Sequence, residues 1–261
     1  MERQQIADLV DFMVHSIRRS PAVGEPFHHL AFSEVFPADI YSQLVHSIPD
    51  MSYFRGMAGR AKESNRADGT PTRLKLDLLP RRMACLPREH RPLWQGLGTA
   101  LCQPEIQSAL VARLAPALET RFGQRLGKLP LYPVPSLFRD LPGYFIPAHT
   151  DTHWKAITVQ FCLPTDDEIA HVGTIFHRVL PDGRRERTVQ MRFAPNSGYA
   201  FAVGSDSWHS VDVVGPEVTS RDSILLTYYL DEGWLRYLRN RSRRAGSIVQ
   251  SRMLRLLHHS A

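Results

Sequence analysis

The sequence predicts a mainly β fold, a barrel or double-sheet jelly roll with helices packed outside a single β-core. Two observations predict it. Downstream of Lys128, short β-branched and aromatic runs follow one another closely, with proline, glycine and aspartate between them. Upstream, apolar residues recur at helical spacing instead. The 261 residues suffice for one large domain, and a hydrophobic fraction of 43% allows it a sizeable core. We therefore expect one domain over 1–261, with a mainly helical flanking part at 1–128, a jelly-roll core at 129–230 and a basic C-terminal helix at 231–261.

Ile6, Leu9, Val10, Met13 and Ile17 have helical spacing and predict an amphipathic helix over 5–18. A short strand over 26–32 should follow, then a second helix over 37–45 with Pro37 in its first turn. His28 and His29 are adjacent and point to opposite strand faces, so we read them as structural. Residues 55–73, rich in Gly, Lys, Arg, Asn and Asp, read as a surface loop, with a lid as the sharper alternative. Helices are expected over 90–102 and 104–122, separated at Gln103-Pro104-Glu105 and ended by Gly123. The strand series comprises 131–139, 156–163, 173–180, 188–193, 198–203, 209–214 and 223–229, with Pro181-Asp182-Gly183 as one of its turns.

Charge is unevenly spread. The net +6 contains seven arginines between Gly233 and Ala261 with no acid among them, which leaves about −1 for the rest. A nucleic-acid partner for the whole chain is not expected. No apolar run is long enough for a transmembrane segment, and the N-terminus has no secretion signal. Cys85, Cys102 and Cys162 are odd in number and widely spaced, giving no disulfide framework and no CxxC metal site. Together these point to a cytoplasmic protein.

Gly143 to Asp151 is the stretch richest in chemistry. It ends an apparent strand with His149-Thr150-Asp151, and residues two apart on a strand share a face, so both can address one metal ion. His209 opens another strand-like run downstream. Two histidines and one carboxylate make the facial set that suits Fe(II) and leaves coordination positions open. Further on, Arg221 and Ser223 share a strand face. A guanidinium that leaves water needs an anion, and it can hold a carboxylate through paired hydrogen bonds with a nearby hydroxyl adding another. A salt bridge from Arg221 to Asp222 or Glu217 is the structural alternative.

In His149-x-Asp151, His209 and Arg221-x-Ser223, over roughly residues 129–230, the sequence resembles the Fe(II)/2-oxoglutarate-dependent oxygenase superfamily. The resemblance implies a double-stranded β-helix, a form of jelly roll, with helices on its outer side. It implies iron held by His149, Asp151 and His209, and 2-oxoglutarate as cosubstrate held by Arg221 and Ser223. In the strand after the HxD triplet, Thr158, Gln160 and Cys162 should face inward. A tyrosine that often contacts the cosubstrate near Cys162 is missing here, and Thr158, Gln160 or Lys155 are candidates to replace its hydrogen bond. With Fe(II), 2-oxoglutarate and O2, the expected activity is hydroxylation of an unactivated C–H bond in a small molecule, with release of succinate and CO2. An intact Asp151 favours hydroxylation over halogenation, which in related enzymes follows loss of that carboxylate.

Arg139, Tyr144, His153 and Trp154 flank the triplet and are candidate substrate contacts. Asp140 could cap a turn or touch substrate. Trp208 alternates away from His209 and reads as outer packing. No GxSxG elbow, P-loop or GxGxxG fingerprint is present, so acyl transfer, phosphoryl transfer and Rossmann hydride chemistry lack support. The alternatives are a peptidyl or protein hydroxylase of the same superfamily, and a non-catalytic jelly-roll binding module.

Overall fold

The protein, seen as a computed structural model, is described over residues 1–57, 65–79 and 82–231. Its strands are β1 (Ala22–Val23), β2 (His29–Phe32), β3 (Arg55–Gly56), β4 (Arg73–Asp77), β5 (Leu131–Asp140), β6 (Ile146–His149), β7 (Lys155–Cys162), β8 (Ile175–Val179), β9 (Arg185–Gln190), β10 (Gly198–Ala202), β11 (His209–Val211) and β12 (Arg221–Leu230). The helices are α1 (Arg3–Arg19), α2 (Ala38–His46), α3 (Arg91–Ala100), α4 (Pro104–Arg113) and α5 (Ala115–Phe122).

The strands form two antiparallel sheets, the larger in the order β1-β2-β10-β7-β12-β5-β4-β3 and the smaller in the order β6-β11-β8-β9. From β5 onward the chain passes back and forth between them. β5, β7, β10 and β12 join the large sheet, while β6, β8, β9 and β11 join the small one. Phe27, Phe176, Tyr199 and Phe201 pack together between the sheets, so the two face each other as a jelly roll. This is the core expected from the strand series.

Alternation decides what each face of the large sheet does. Leu76, Leu137, Val159, Phe161, Ile224 and Leu226 form one core with Leu9, Met13 and Ile17 of α1 and with Trp94 and Leu97 of α3. Each of these side chains contributes on the order of 2 kcal/mol by leaving water. The residues between them on the strands face the small sheet. The interior thus receives Arg73, Lys75 and Asp77 from β4, Ser136, Phe138 and Asp140 from β5, and Arg221 and Ser223 from β12, because register partners share a face.

Several expectations change. The helix expected over 104–122 is two helices, since Pro116 lies in the first turn of α5 and has no N–H to continue α4. The loop expected over 55–73 has strands at its ends, β3 and the start of β4; residues 58–64 lie outside the described part. Pro133 and Pro135 sit inside β5, where the proline nitrogens cost no ladder bond. β4 pairs with β5 only as far as Ser136, and beyond it Leu78 N–H donates to the Pro135 carbonyl, a bond that asks nothing of the proline nitrogen. The expected basic C-terminal helix lies outside the described residues.

Candidate metal and anion site

His149 closes β6 and His209 opens β11, and the antiparallel register sets them directly opposite each other. Their ring centroids are 4.3 Å apart. The approach to β6 is shaped at Gly143, whose φ of 90° lies where a side chain would be strained. Asp151 follows just beyond the end of β6. Candidate ligand atoms of His149, Asp151 and His209 all lie within 4.8 Å of one another. The structure therefore brings the three residues together.

Both histidines are oriented by the same device. His149 Nδ1 lies 3.0 Å from the Pro147 carbonyl and His209 Nδ1 lies 2.9 Å from the Ser207 carbonyl. A carbonyl can only accept, so each Nδ1 carries a proton, and Nε2 is the nitrogen that a neutral ring would offer to a metal. Burial lowers the pKa of His209 to about 4, which keeps it neutral near pH 7. Its ring also packs against Phe201, with centroids 5.0 Å apart.

Asp151 is fixed through both oxygens. Lys155 Nζ donates to Oδ1 and Thr158 Oγ1 to Oδ2, each at 2.5 Å. Burial alone would raise its pKa, but the Lys155 charge and these hydrogen bonds hold the carboxyl well below the usual range. It is an anion at any ordinary pH. A carboxylate can accept about four hydrogen bonds or coordination contacts, so the two donors leave room for a metal. Two imidazoles and one carboxylate, converging from two strands and a loop, fit a divalent transition metal.

Beside this set lies a second cluster. Arg221 is almost fully buried and donates from Nε to the Val172 carbonyl at 2.8 Å, from Nη1 to Asp140 Oδ2 at 2.8 Å and from Nη2 to Thr174 Oγ1 at 3.2 Å. Its guanidinium also lies over the Phe193 ring. Asp140 is the ion partner, where the structural alternative weighed from the sequence had been Asp222 or Glu217; Asp222 is held instead by Arg139. The register explains the exchange, since Arg221 and Asp140 are paired across β12 and β5. The other oxygen of Asp140 meets Arg73 Nε at 3.2 Å.

Ser223 is buried on the same face as Arg221, and its Oγ has no hydrogen-bond partner. Thr158 faces inward as expected, though its hydroxyl is engaged by Asp151. Gln160 also faces inward, and its Oε1 accepts from Tyr199 and from Thr174, while its Nε2 has no partner. Cys162 is buried, and burial raises its thiol pKa to about 11.

The flanking candidates are distributed differently. Tyr144 is buried and hydrogen-bonded to Arg73, with its phenol raised to about 12 by burial. Arg139 follows Leu137 by two residues on β5 and so takes the helix-facing side, away from the triad; it forms a two-point pair with Asp222 at 2.7 and 3.1 Å. His153 is exposed and Trp154 half-buried, their rings set edge to face. The backbone there is tied to α5, because Arg121 donates to the carbonyls of His153, Lys155 and Val203.

Arg73, Thr174 and Tyr199 escaped the sequence reading. Arg73 could have been found from the alternation Arg73-Leu74-Lys75-Leu76-Asp77, a strand pattern inside a segment dominated by loop residues. Tyr199 stands on β10 directly opposite Gln160 of the adjacent β7, and its hydroxyl bonds the Gln160 side chain on the interior face. Its hydroxyl is also hydrogen-bonded to Thr174 Oγ1 at 2.8 Å.

No family model matches the chain, and no curated protein matches it. Among solved structures, a Pseudomonas putida prolyl-4-hydroxylase is similar over 85% of this chain and 98% of its own, at 13% identity and a TM-score of 0.44. An oxidoreductase of the 2OG-Fe(II) oxygenase family from Burkholderia pseudomallei is similar over 86% of this chain and 90% of its own, at 14% identity and a TM-score of 0.48.

Proposed function

We propose that this chain is an Fe(II)- and 2-oxoglutarate-dependent oxygenase that hydroxylates an unactivated C–H bond of a small molecule. The observation that carries the reading is the pairing of His149 with His209 across β6 and β11, each with Nδ1 tied to a carbonyl, and with candidate ligand atoms of both and of Asp151 within 4.8 Å of one another. When bound, iron supplies the oxygen chemistry that the amino acids lack, and 2-oxoglutarate supplies two electrons as it is split to succinate and CO2.

The protein's own share is positional. His149 and His209 present nitrogen ligands, and Lys155 with Thr158 keeps Asp151 anionic and correctly turned. Arg221 and Ser223 offer donors to a carboxylate, with Gln160 close by through Thr174. Phe201 and Phe176 keep one side of the interior dry. A small-molecule substrate suits a site walled by the buried side chains of the barrel itself.

The test is anaerobic reconstitution. Wild-type protein should bind Fe(II) in a one-to-one ratio and release succinate when O2 is admitted with 2-oxoglutarate. His149→Ala should abolish Fe(II) binding. Wild-type protein that takes up no Fe(II) would make the chain a binding module. Turnover of peptides alone in a mixed substrate panel would overturn the small-molecule assignment.

A further inference from the structure

Arg73, Asp140 and Arg221 lie side by side across three adjacent strands, paired in register between β4 and β5 and between β5 and β12. All three side chains are largely withdrawn from water, at 15%, 0% and 1% exposure. Asp140 gives one oxygen to each arginine, at 3.2 Å to Arg73 and 2.8 Å to Arg221. The cluster therefore holds two positive charges and one negative. A buried excess charge is costly, and a bound anion offsets it. The nearest carboxylate on the metal side, Asp151, is already matched by Lys155.

The hydrogen-bond balance points the same way. Ser223 Oγ and Gln160 Nε2 are buried without partners. Arg73 Nε faces Asp140 but lacks hydrogen-bond alignment, and its Nη1 is engaged by Tyr144. Arg221 uses one hydrogen from each of its three nitrogens, so further N–H groups remain. The surplus is of donors. A carboxylate brings one negative charge and about four acceptor positions, which answers both deficits.

We propose that Arg73 is a second cation of the anion site, so that two arginines sharing Asp140 hold the distal carboxylate of the 2-oxo acid. This rests on the oxygenase reading above. It assigns a binding role to β4, which lies in the flanking part of the chain before the jelly-roll core. It also makes the site selective for dicarboxylic 2-oxo acids.

The test titrates anaerobic, Mn(II)-loaded protein with two ligands by calorimetry. One is 2-oxoglutarate; the other is 2-oxopentanoate, which keeps the 2-oxo acid end and lacks the distal carboxylate. Arg73→Met should weaken 2-oxoglutarate binding about tenfold or more, the loss expected for one charge-assisted hydrogen bond, and leave 2-oxopentanoate unchanged. Arg73→Lys keeps the charge but loses the planar fork, and should weaken 2-oxoglutarate alone by about threefold. That variant decides the matter if Arg73→Met does not fold. Unchanged 2-oxoglutarate affinity, or an equal loss for both ligands, overturns the role of Arg73. Wild-type protein that binds neither ligand removes the oxygenase reading itself.

Discussion

The two halves of the barrel interior are built on different physics. Toward β4, β5 and β12 it is held by charge. Arg73, Asp140 and Arg221 form one row, and next to it Asp77 gathers Lys75 and Arg55 at 2.9 Å each, together with Arg82. Toward β2, β8 and β10 it is held by rings. Phe27, His29, Phe176 and Phe201 meet at centroid separations of 4.7 to 5.8 Å. The candidate metal set lies between the halves, with Asp151 tied to Lys155 and His209 packed on Phe201. Ring packing is nearly non-directional and forgives changes of shape. A buried ion cluster depends on which atom carries which charge, and forgives almost nothing.

That contrast is tested most strongly at Asp140. Asp140→Asn keeps the size and shape of the side chain but leaves Arg73 and Arg221 buried together without a counter-charge. The expected loss is about 3–5 kcal/mol of unfolding free energy, as for breaking a buried ion pair by removing one partner. Urea denaturation followed by circular dichroism measures it. A loss below about 1 kcal/mol would mean that the arginines find other partners, and the division between the halves would dissolve.

The same division explains what could be read from the sequence. The jelly roll was legible because β7, β10 and β12 are dense in β-branched and aromatic residues, and α1 because its apolar stripe has helical period. His149, Asp151 and His209 were legible as residue types with a strand position. In the charged half Arg221 and Ser223 were legible as a strand pair, but the ion partner of Arg221 was not. Asp140 is 81 residues from Arg221, and no local pattern says that β5 and β12 align in that register. Arg139 shows the cost: it looked like a neighbour of the site, yet strand alternation turns it to the helix side, where Asp222 holds it. Arg73 was obscured by the glycine- and arginine-rich segment before it. Long-range ion pairs follow from topology, and single-sequence periodicity carries no topology.

A second difference between the halves is pH. Burial would raise the Asp77 carboxyl, but Lys75, Arg82 and Arg55 outweigh it and bring the pKa down to about 2 from an ordinary 3.8. A carboxylate with a depressed folded-state pKa contributes stability that is fully present above the unfolded value, near pH 4, and is lost as pH falls toward 2. The loss should be about 2 kcal/mol across that window, since each pKa unit corresponds to about 1.4 kcal/mol. Asp77→Asn should flatten this part of the acid unfolding profile relative to wild type. An unchanged slope between pH 4 and pH 2 would place the acid sensitivity elsewhere, with Asp151 as the next group to examine.

The smallest effect belongs to the aromatic half. Phe201 is fully buried, stacks on Tyr199 and packs edge-on against Phe176. Phe201→Leu keeps an apolar side chain of similar volume, and such exchanges cost below about 1.5 kcal/mol when neighbours can adjust. Here Phe27, Phe176 and Val203 surround the position and can move without losing a directional bond. His209 would lose a ring neighbour but keep its tether to the Ser207 carbonyl, so Mn(II) affinity by calorimetry should stay close to wild type. A stability loss matching that of Asp140→Asn, or a large loss of metal affinity, would show that ring packing fixes the ligand as tightly as the ion cluster fixes Arg221, and the two halves would then be equally specified.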